Sequence, residues 1–571
     1  MSEEIRSIKL NSELTESPDL GKPWSALKKF GFRVLLIFML AMCIPFSPNW
    51  YKNIFTLDWT RPHYRDLYDI ARFQPSFFSL IYGQRSRDIT DAPGADDFKG
   101  NNRQAKSAGK SGTVKDDVKL PTSPVVKNSA LMPPKRSFFA DYIDWGLALL
   151  IAFIGGLIWS IFDRKSRSYN ILYYWIRVVV RYRAGIGIIG FGFTKLFPTQ
   201  MPYPSLGLLN GNFGDFTAQK IYWLSVGIVP WYQVFGGIVE IAAGLMLFFR
   251  KTTTFGAILL IAALGDITFV NYAYDGGVHV YAFYFVVLGL FLAADDFPKL
   301  YNLLILERYT VPLRIYPDLK NPVFKYTRIG LKVLTFLIFF GVMSYTEIIN
   351  FKYDPYKQPA TAGVKKLRGN YRVTEFKING VTIPYNPLDS TRWQEATFEN
   401  WTTLTFRINR PVLIDPSNGG GSPMRDIQRT FEISGVAGGQ RAFHYYADTI
   451  DKVLYLQDKN VMALRGTAKA DKSESADTLK GDWISKSAWK HIGDENKMID
   501  KWAWSTRRDR EFAEKPRAPK RNKMVLRYDT ADGARVILSG RNENRDSIYV
   551  VLDRYERKYV LPKSNLNAGK Y

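Results

Sequence analysis

The sequence predicts two architectures in one chain: a polytopic α-helical membrane bundle of about seven spans, followed by an all-β antiparallel barrel or sandwich. Two observations carry this. Apolar runs long enough to cross a bilayer are gathered between Gly31 and Asn350. After Asn350 those runs stop, and short segments with period-2 alternation take their place.

A spanning helix needs about 20 mostly apolar residues. Ile143–Phe162, Ile221–Phe249, Thr254–Tyr274, Val278–Ala294 and Ile329–Ile349 meet that requirement. Phe32–Phe46 is shorter and ends at Pro45, and Ile171–Phe197 is long but carries Arg177, Arg181, Arg183 and Lys195. The first run follows Glu3, Glu4, Glu13, Glu16 and Asp19, which fits an uncleaved anchor better than a cleaved signal. Orientation follows the Lys/Arg bias of short loops. Lys28, Lys29 and Arg33, the turn Asp163–Arg167, Arg250-Lys251 and the connection after the sixth span are basic, whereas Pro198–Thr217 and Asp275–Gly277 hold no Lys or Arg. The basic loops all fall on one side if the N-terminus is cytoplasmic and the C-terminus extracytoplasmic.

The expected layout is a cytoplasmic tail over 1–30, a first span over 31–47, an outer segment over 48–142, a membrane bundle over 143–350 and an outer β-rich domain over 351–571. Within the outer segment, Arg85–Arg136 is rich in Gly, Lys, Asp, Ser and Pro and reads as disordered.

In the last part, alternation marks Asn370–Ile378, Trp401–Asn409, Thr430–Ser434, Ala442–Tyr446, Lys452–Gln457, Met524–Tyr528, Arg535–Leu538, Ser547–Leu552 and Lys558–Leu561. Asn379-Gly380, Asp415-Pro416, Gly438-Gly439 and Asp532-Gly533 supply turns between them. The stretch Gly481–Lys523, with four tryptophans among many bases, breaks the pattern and reads as a helix or an excursion.

The averages conceal this division. Over 571 residues the chain is 46% hydrophobic and 23% charged, with a mean hydropathy of −0.16 and a net charge of +25. Alone, +25 suggests nucleic acid or an anionic membrane. About half of it lies in residues 351–571, which hold 40 Lys+Arg against 27 Asp+Glu. An outer location favours the lipid bilayer over nucleic acid, so no nucleic-acid partner is expected. A single cysteine, Cys43, excludes an intrachain disulfide framework, a Cys-based zinc site and an iron–sulfur cluster, and four histidines offer little for a metal, so none is expected.

Gly185-Ile-Gly187-Ile-Ile-Gly190 matches a dinucleotide fingerprint as a string, but no strand precedes it and it lies within an apolar helix. Close helix packing is the physical reading. The ionisable groups inside the spans say more, because a charge in hydrocarbon costs several kcal/mol and normally faces a partner. Arg177, Arg181, Lys195, Glu240 and Asp266 form the expected intramembrane polar cluster. Asn271, Tyr272, Asp275 and His279 form an outer-turn cluster. Such groups either pair to hold helices together or line a proton relay or a polar ligand pocket.

Residues 171–296 resemble the DoxX-like membrane family, a four-helix module. The resemblance rests on Arg181-Tyr182, on Gly190-Phe-Gly-Phe-Thr-Lys195-Leu-Phe-Pro198, on Glu240-Ile-Ala-Ala-Gly244 followed by Arg250, and on Asn271–Asp275 leading to Asp295-Asp296. Tyr371–Phe376 with Asn379-Gly380, Asp389 and Arg392-Trp393 resembles the start of the extracytoplasmic domain of larger members. The resemblance implies a bacterial inner-membrane protein with a periplasmic domain and a membrane or periplasmic protein partner. Some such proteins are subunits of thiosulfate:quinone oxidoreductases, which makes quinone a candidate cofactor. An accessory or ligand-binding component is the expected function, with a quinone-linked oxidoreductase subunit and a proton-coupled transporter as alternatives.

Overall fold

A computed structural model describes residues 23–73, 142–310, 317, 321–410, 412, 414–420, 424–460, 483–493, 498–514 and 521–571. The stretch Arg85–Arg136 lies outside the described residues.

The first part is helical. Helix α1 (Ala26–Cys43) is capped by Ser25, whose hydroxyl accepts from the Lys28 amide at 3.2 Å, and it stops short of Pro45. Two short helices follow, α2 (Pro48–Thr56) and α3 (Tyr64–Ala71). Then come α4 (Ile143–Phe162), α5 (Asn170–Leu196), the single turn α6 (Leu206–Leu209), α7 (Ala218–Gly227), α8 (Pro230–Leu247), α9 (Thr253–Ala273), α10 (His279–Ala293), α11 (Phe297–Leu304) and the long α12 (Pro322–Tyr353), which contains a π-helical segment at Leu337–Val342. Among the described residues, α4, α9 and α12 are long and apolar enough to cross a membrane. The number rises to six if each of three bent helix pairs counts as one span.

The expected single span Ile221–Phe249 is instead two helices. The chain turns by 91° between α7 and α8, because Pro230 cannot continue a helix and biases Val229 away from helical geometry. Helix α5 packs along α8 through glycines. A Cβ on Gly185 would lie 3.0 Å from the Gly244 carbonyl oxygen, and one on Gly192 would lie 3.0 Å from that of Gly237. Gly187 faces Phe285 of α10, and Gly190 faces Tyr68 of α3 while its carbonyl accepts from Tyr64 Oη at 2.7 Å. The fingerprint-like glycines are therefore packing surfaces for three different neighbours.

The second part is a closed eight-stranded antiparallel barrel. Its strands are β1 (Gly369–Ile378), β3 (Glu395–Phe398), β4 (Thr403–Arg407), β5 (Gln440–Asp448), β6 (Val453–Asp458), β7 (Lys523–Asp529), β8 (Arg535–Arg541) and β9 (Ser547–Tyr555). The two-residue β2 (Val381–Thr382) hangs off β1 through a tight hairpin at Asn379-Gly380, both with positive φ. β1 pairs with β9 from Asn370↔Tyr555 to Ile378↔Ile548 and closes the ring, with a bulge between Val373 and Glu375. The interior is filled by side chains, including Trp393 stacked on Phe406 at 3.9 Å and Phe406 on Phe443 at 5.5 Å. Two expected strands differ: Thr430–Ser434 is a buried turn region and Lys558–Leu561 is irregular, whereas the short β3 had no clear alternation to mark it. The Gly481–Lys523 excursion carries two helices, α13 (Lys486–Ile492) and α14 (Thr506–Glu514). Helix α13 covers the outer face of β5, where Trp489 meets Tyr446 edge-on.

The two parts are joined along one face. Glu399 at the barrel rim accepts from the backbone amides of Gly207 at 2.7 Å and Leu206 at 3.0 Å. Asn210 donates to Asn370 at 2.9 Å and accepts from Tyr559 Oη at 2.7 Å. The Gly569 amide returns to the Phe351 carbonyl at 3.0 Å.

Candidate functional site

Of the five residues expected to form one polar cluster, the structure brings two together. Lys195 Nζ lies 2.5 Å from Glu240 Oε1, near the C-terminal end of α5 and about three turns into α8. Arg177 pairs with Asp295 at 3.1 Å at the opposite end of the helices. Arg181 is buried, but its Nε donates to the Leu247 carbonyl at 2.9 Å and not to a carboxylate. Asp266 is exposed on the outward face of α9 and has no ion-pair partner among the described residues. Helical spacing put Glu240 and Asp266 at similar depth but did not reveal which way each faces.

The outer-turn residues form a small aromatic group. Asn271 Nδ2 bonds back to the Ile267 carbonyl at 2.7 Å. Asp275 holds a positive-φ turn. His279 begins α10 with its ring against Tyr272 and Tyr142, each at 6.1 Å.

The surroundings of the Lys195–Glu240 pair come from the bend between α7 and α8. Tyr222 of α7 sits in the crook, stacked on Tyr274 at 5.2 Å, within electrostatic reach of Glu240, Asp266 and Tyr232. Trp231, Tyr232, Phe235 and Ile238 are exposed on α8, and helical spacing puts Trp231, Phe235 and Ile238 on the face opposite Glu240. Glu240 is only 2% exposed, and its second oxygen, Oε2, has no hydrogen-bond partner among the described residues. A buried carboxylate oxygen without a donor costs on the order of 1–3 kcal/mol or more, and a ligand with a hydroxyl or amine could recover that cost. The pair is thus a buried polar spot near the bend, with Tyr222 within electrostatic reach and one acceptor oxygen unused.

A second charged centre escaped the sequence reading altogether. On α3 and the preceding loop, His63, Asp66 and Asp69 face α14 of the barrel excursion. Arg507 Nε meets Asp66 at 2.9 Å and its Nη2 meets Asp69 at 2.5 Å, while Ser505 Oγ donates to Asp66 at 2.7 Å. Arg508 Nη2 meets Asp354, just past α12, at 2.7 Å. His63 Nε2 lies 3.2 Å from the same carboxylate, and Arg429 pairs with its other oxygen. Burial opposes ionisation of Asp354, but Arg508 and Arg429 hold its carboxyl well below the usual carboxylate range. Burial and the Arg508 charge push His63 down, so the ring is neutral near pH 7. No short-range pattern signals this centre, because its members are hundreds of residues apart. Every acid in it has a base, which is the arrangement of a clamp.

Asp448, Asp451 and His491 bring their ligand atoms within 4.8 Å of one another at the β5–β6 turn and the end of α13. Asp448 is already occupied, accepting from two backbone amides and facing His491 Nδ1 at 2.8 Å. No family model, curated protein or solved structure matches the chain.

Proposed function

We propose that the chain is a multipass membrane protein of DoxX-like type that binds an amphiphilic ligand in the α7–α8 crook and carries the barrel on its outer side. Three features support membrane insertion. Helix α4 exposes Leu149, Leu150, Phe153, Ile154, Leu157 and Ile161, a surface that water would not tolerate. Neighbouring helices pack antiparallel, as the contacts of Gly155 with Ile37 and Gly156 with Val34, and of Gly185 with Gly244 and Gly192 with Gly237, show for α4 on α1 and α5 on α8. The basic turns Asp163–Arg167 and Arg250-Lys251 fall at one end of them, which makes that end cytoplasmic. On that orientation the barrel is periplasmic.

The observation that carries the ligand reading is Glu240 Oε2, buried and undonated beside a lysine in a broken helix. Irregular backbone at membrane depth is tolerated where it lines protein or a cavity, and broken helices recur at membrane binding sites. The Lys195 ammonium fixes one oxygen of Glu240 and leaves the other to accept from a ligand hydroxyl or amine. Tyr222 and Tyr274, stacked at 5.2 Å beside the bend, suit the ligand's apolar body. The filled barrel leaves it the role of a rigid outer module for a periplasmic or membrane partner.

Mass spectrometry of protein released from mild detergent tests this. A lipid-soluble species with a polar hydrogen-bonding end should accompany the wild type and be lost from Glu240→Gln, with unchanged circular dichroism and melting temperature. Equal retention by Glu240→Gln would overturn the ligand reading.

A further inference from the structure

The opposite end of the helical part holds a second polar feature unrelated to the crook. Where α5, α8 and α12 approach one another, Lys332 of α12 lies within electrostatic reach of Arg328, Arg181 and Arg250. Tyr182 feels Arg181, Arg250 and Arg328 together. The charges acting most strongly on Lys332, Tyr182 and Arg181 are bases and tyrosines, and Arg181, Arg328 and Lys332 have no ion-pair partner among the described residues. Arg181 spends only its Nε, on the Leu247 carbonyl at 2.9 Å. Lys332 Nζ rests over the Phe249 ring at 3.8 Å, and Tyr182 stacks on Phe248 at 5.4 Å.

The backbone leaves this basic group open sideways. From Pro322 to Phe336, α12 has no buried residue; packing begins in the π-helical segment, where Phe339, Phe340 and Val342 are partly buried, and Met343, Thr346, Glu347 and Asn350 are buried beyond it. The unpacked half of α12 and the adjoining ends of α5 and α8 therefore present exposed apolar side chains beside three cations and a phenol.

Isolated charges at that level are costly, and like charges gathered there repel. An anion relieves both costs. Guanidinium and ammonium groups converging from two helices suit a phosphate, which presents several acceptor oxygens. The exposed apolar faces of α12 suit two acyl chains. We infer that the surface where the unpacked half of α12 meets α5 and α8 is a site for an anionic phospholipid, whose phosphate is held by Arg181, Arg328 and Lys332. This rests on the membrane reading given above but not on the ligand of the crook.

The test uses the full chain in nanodiscs of phosphatidylglycerol and phosphatidylcholine in equal amounts. The lipids that stay on the protein after transfer to detergent are measured by native mass spectrometry. Resistance of the protein to alkaline carbonate extraction from cell membranes is scored separately, so that a failure of membrane insertion is told apart from a failure of the site. The wild type should retain phosphatidylglycerol in excess of phosphatidylcholine. Arg328→Gln with Lys332→Gln, both on the unpacked half of α12, should reduce that excess about tenfold or more, at roughly 1 kcal/mol per basic residue. Arg181→Gln alone should reduce it severalfold. An inserted protein whose excess is unchanged in the double variant would overturn the proposal. So would loss of the bound lipid to millimolar inorganic phosphate, which would mark a free-phosphate site instead.

Discussion

Arg507 and Asp66 meet at 2.9 Å although 441 residues separate them. The contact joins α3 to α14, a helix inside the barrel excursion. With Arg508 and Asp354 it locks three distant stretches of chain into one unit.

Removing one partner of such a buried pair leaves a charge without compensation, a loss of about 3–5 kcal/mol. Asp66→Asn should lower the stability of the full chain by that order, and Arg507→Met similarly. The double variant should cost less than the sum of the two. Thermal unfolding of all four proteins in detergent measures the coupling, and strict additivity would mean the two side chains do not interact.

The glycine seam between α5 and α8 gives a second expectation. A Cβ on Gly237 would sit 2.6 Å from the Gly192 carbonyl oxygen, so Gly237→Ala must push the helices apart. Overpacking of this kind costs about 1–3 kcal/mol. At the adjacent Gly236 the nearest atom is Lys195 Cδ at 3.8 Å, an ordinary contact. Gly236→Ala should therefore melt like the wild type while Gly237→Ala melts several degrees lower. Indistinguishable melting curves would remove the close approach as a source of stability.

The barrel should be acid-sensitive through His444. Burial pushes its pKa down to about 4, while Thr402 accepts from its ring at 3.1 Å. The unfolded chain takes up a proton near pH 6.5 and the folded one only near 4, so the unfolded state binds more protons between these values. The contribution of His444 is complete above about pH 6.5 and is lost as pH falls through 4, about 3 kcal/mol in all. Urea unfolding of the full chain at pH 7.5 and 4.5 should show this loss, and His444→Gln should flatten it. A pH dependence identical in the variant would assign the effect to other groups.

What the sequence makes legible is length and periodicity. The apolar runs are visible because they stay apolar for about 20 residues, and most barrel strands because burial of one face imposes a repeat of 2. The bend at Val229-Pro230 carries a local sign, the proline, but the apolar run continues across it from Ile221 to Phe249 and conceals it. Glu240 stands out as an acid in an apolar helix. Its partner Lys195 is identifiable only because both lie at compatible depth, whereas Asp266 satisfies the same criterion and faces away. The clamp of Asp66, Asp354, Arg429, Arg507 and Arg508 leaves no trace in the sequence. Ion pairs between distant segments impose no spacing, and each of these residues looks like one more surface charge.

The ring closure of β1 on β9 has a consequence for how the barrel can be recognised. Among the described strands only the two-residue β2 ends the sheet order, so the closed ring has no long row of unpaired backbone donors and acceptors to which an extended peptide could add as a strand. Recognition by a partner must use side chains of the rims, the strand exteriors or the applied helices. Selectivity then rests on the identity of those side chains, and the same closure protects the barrel against self-assembly through its edges.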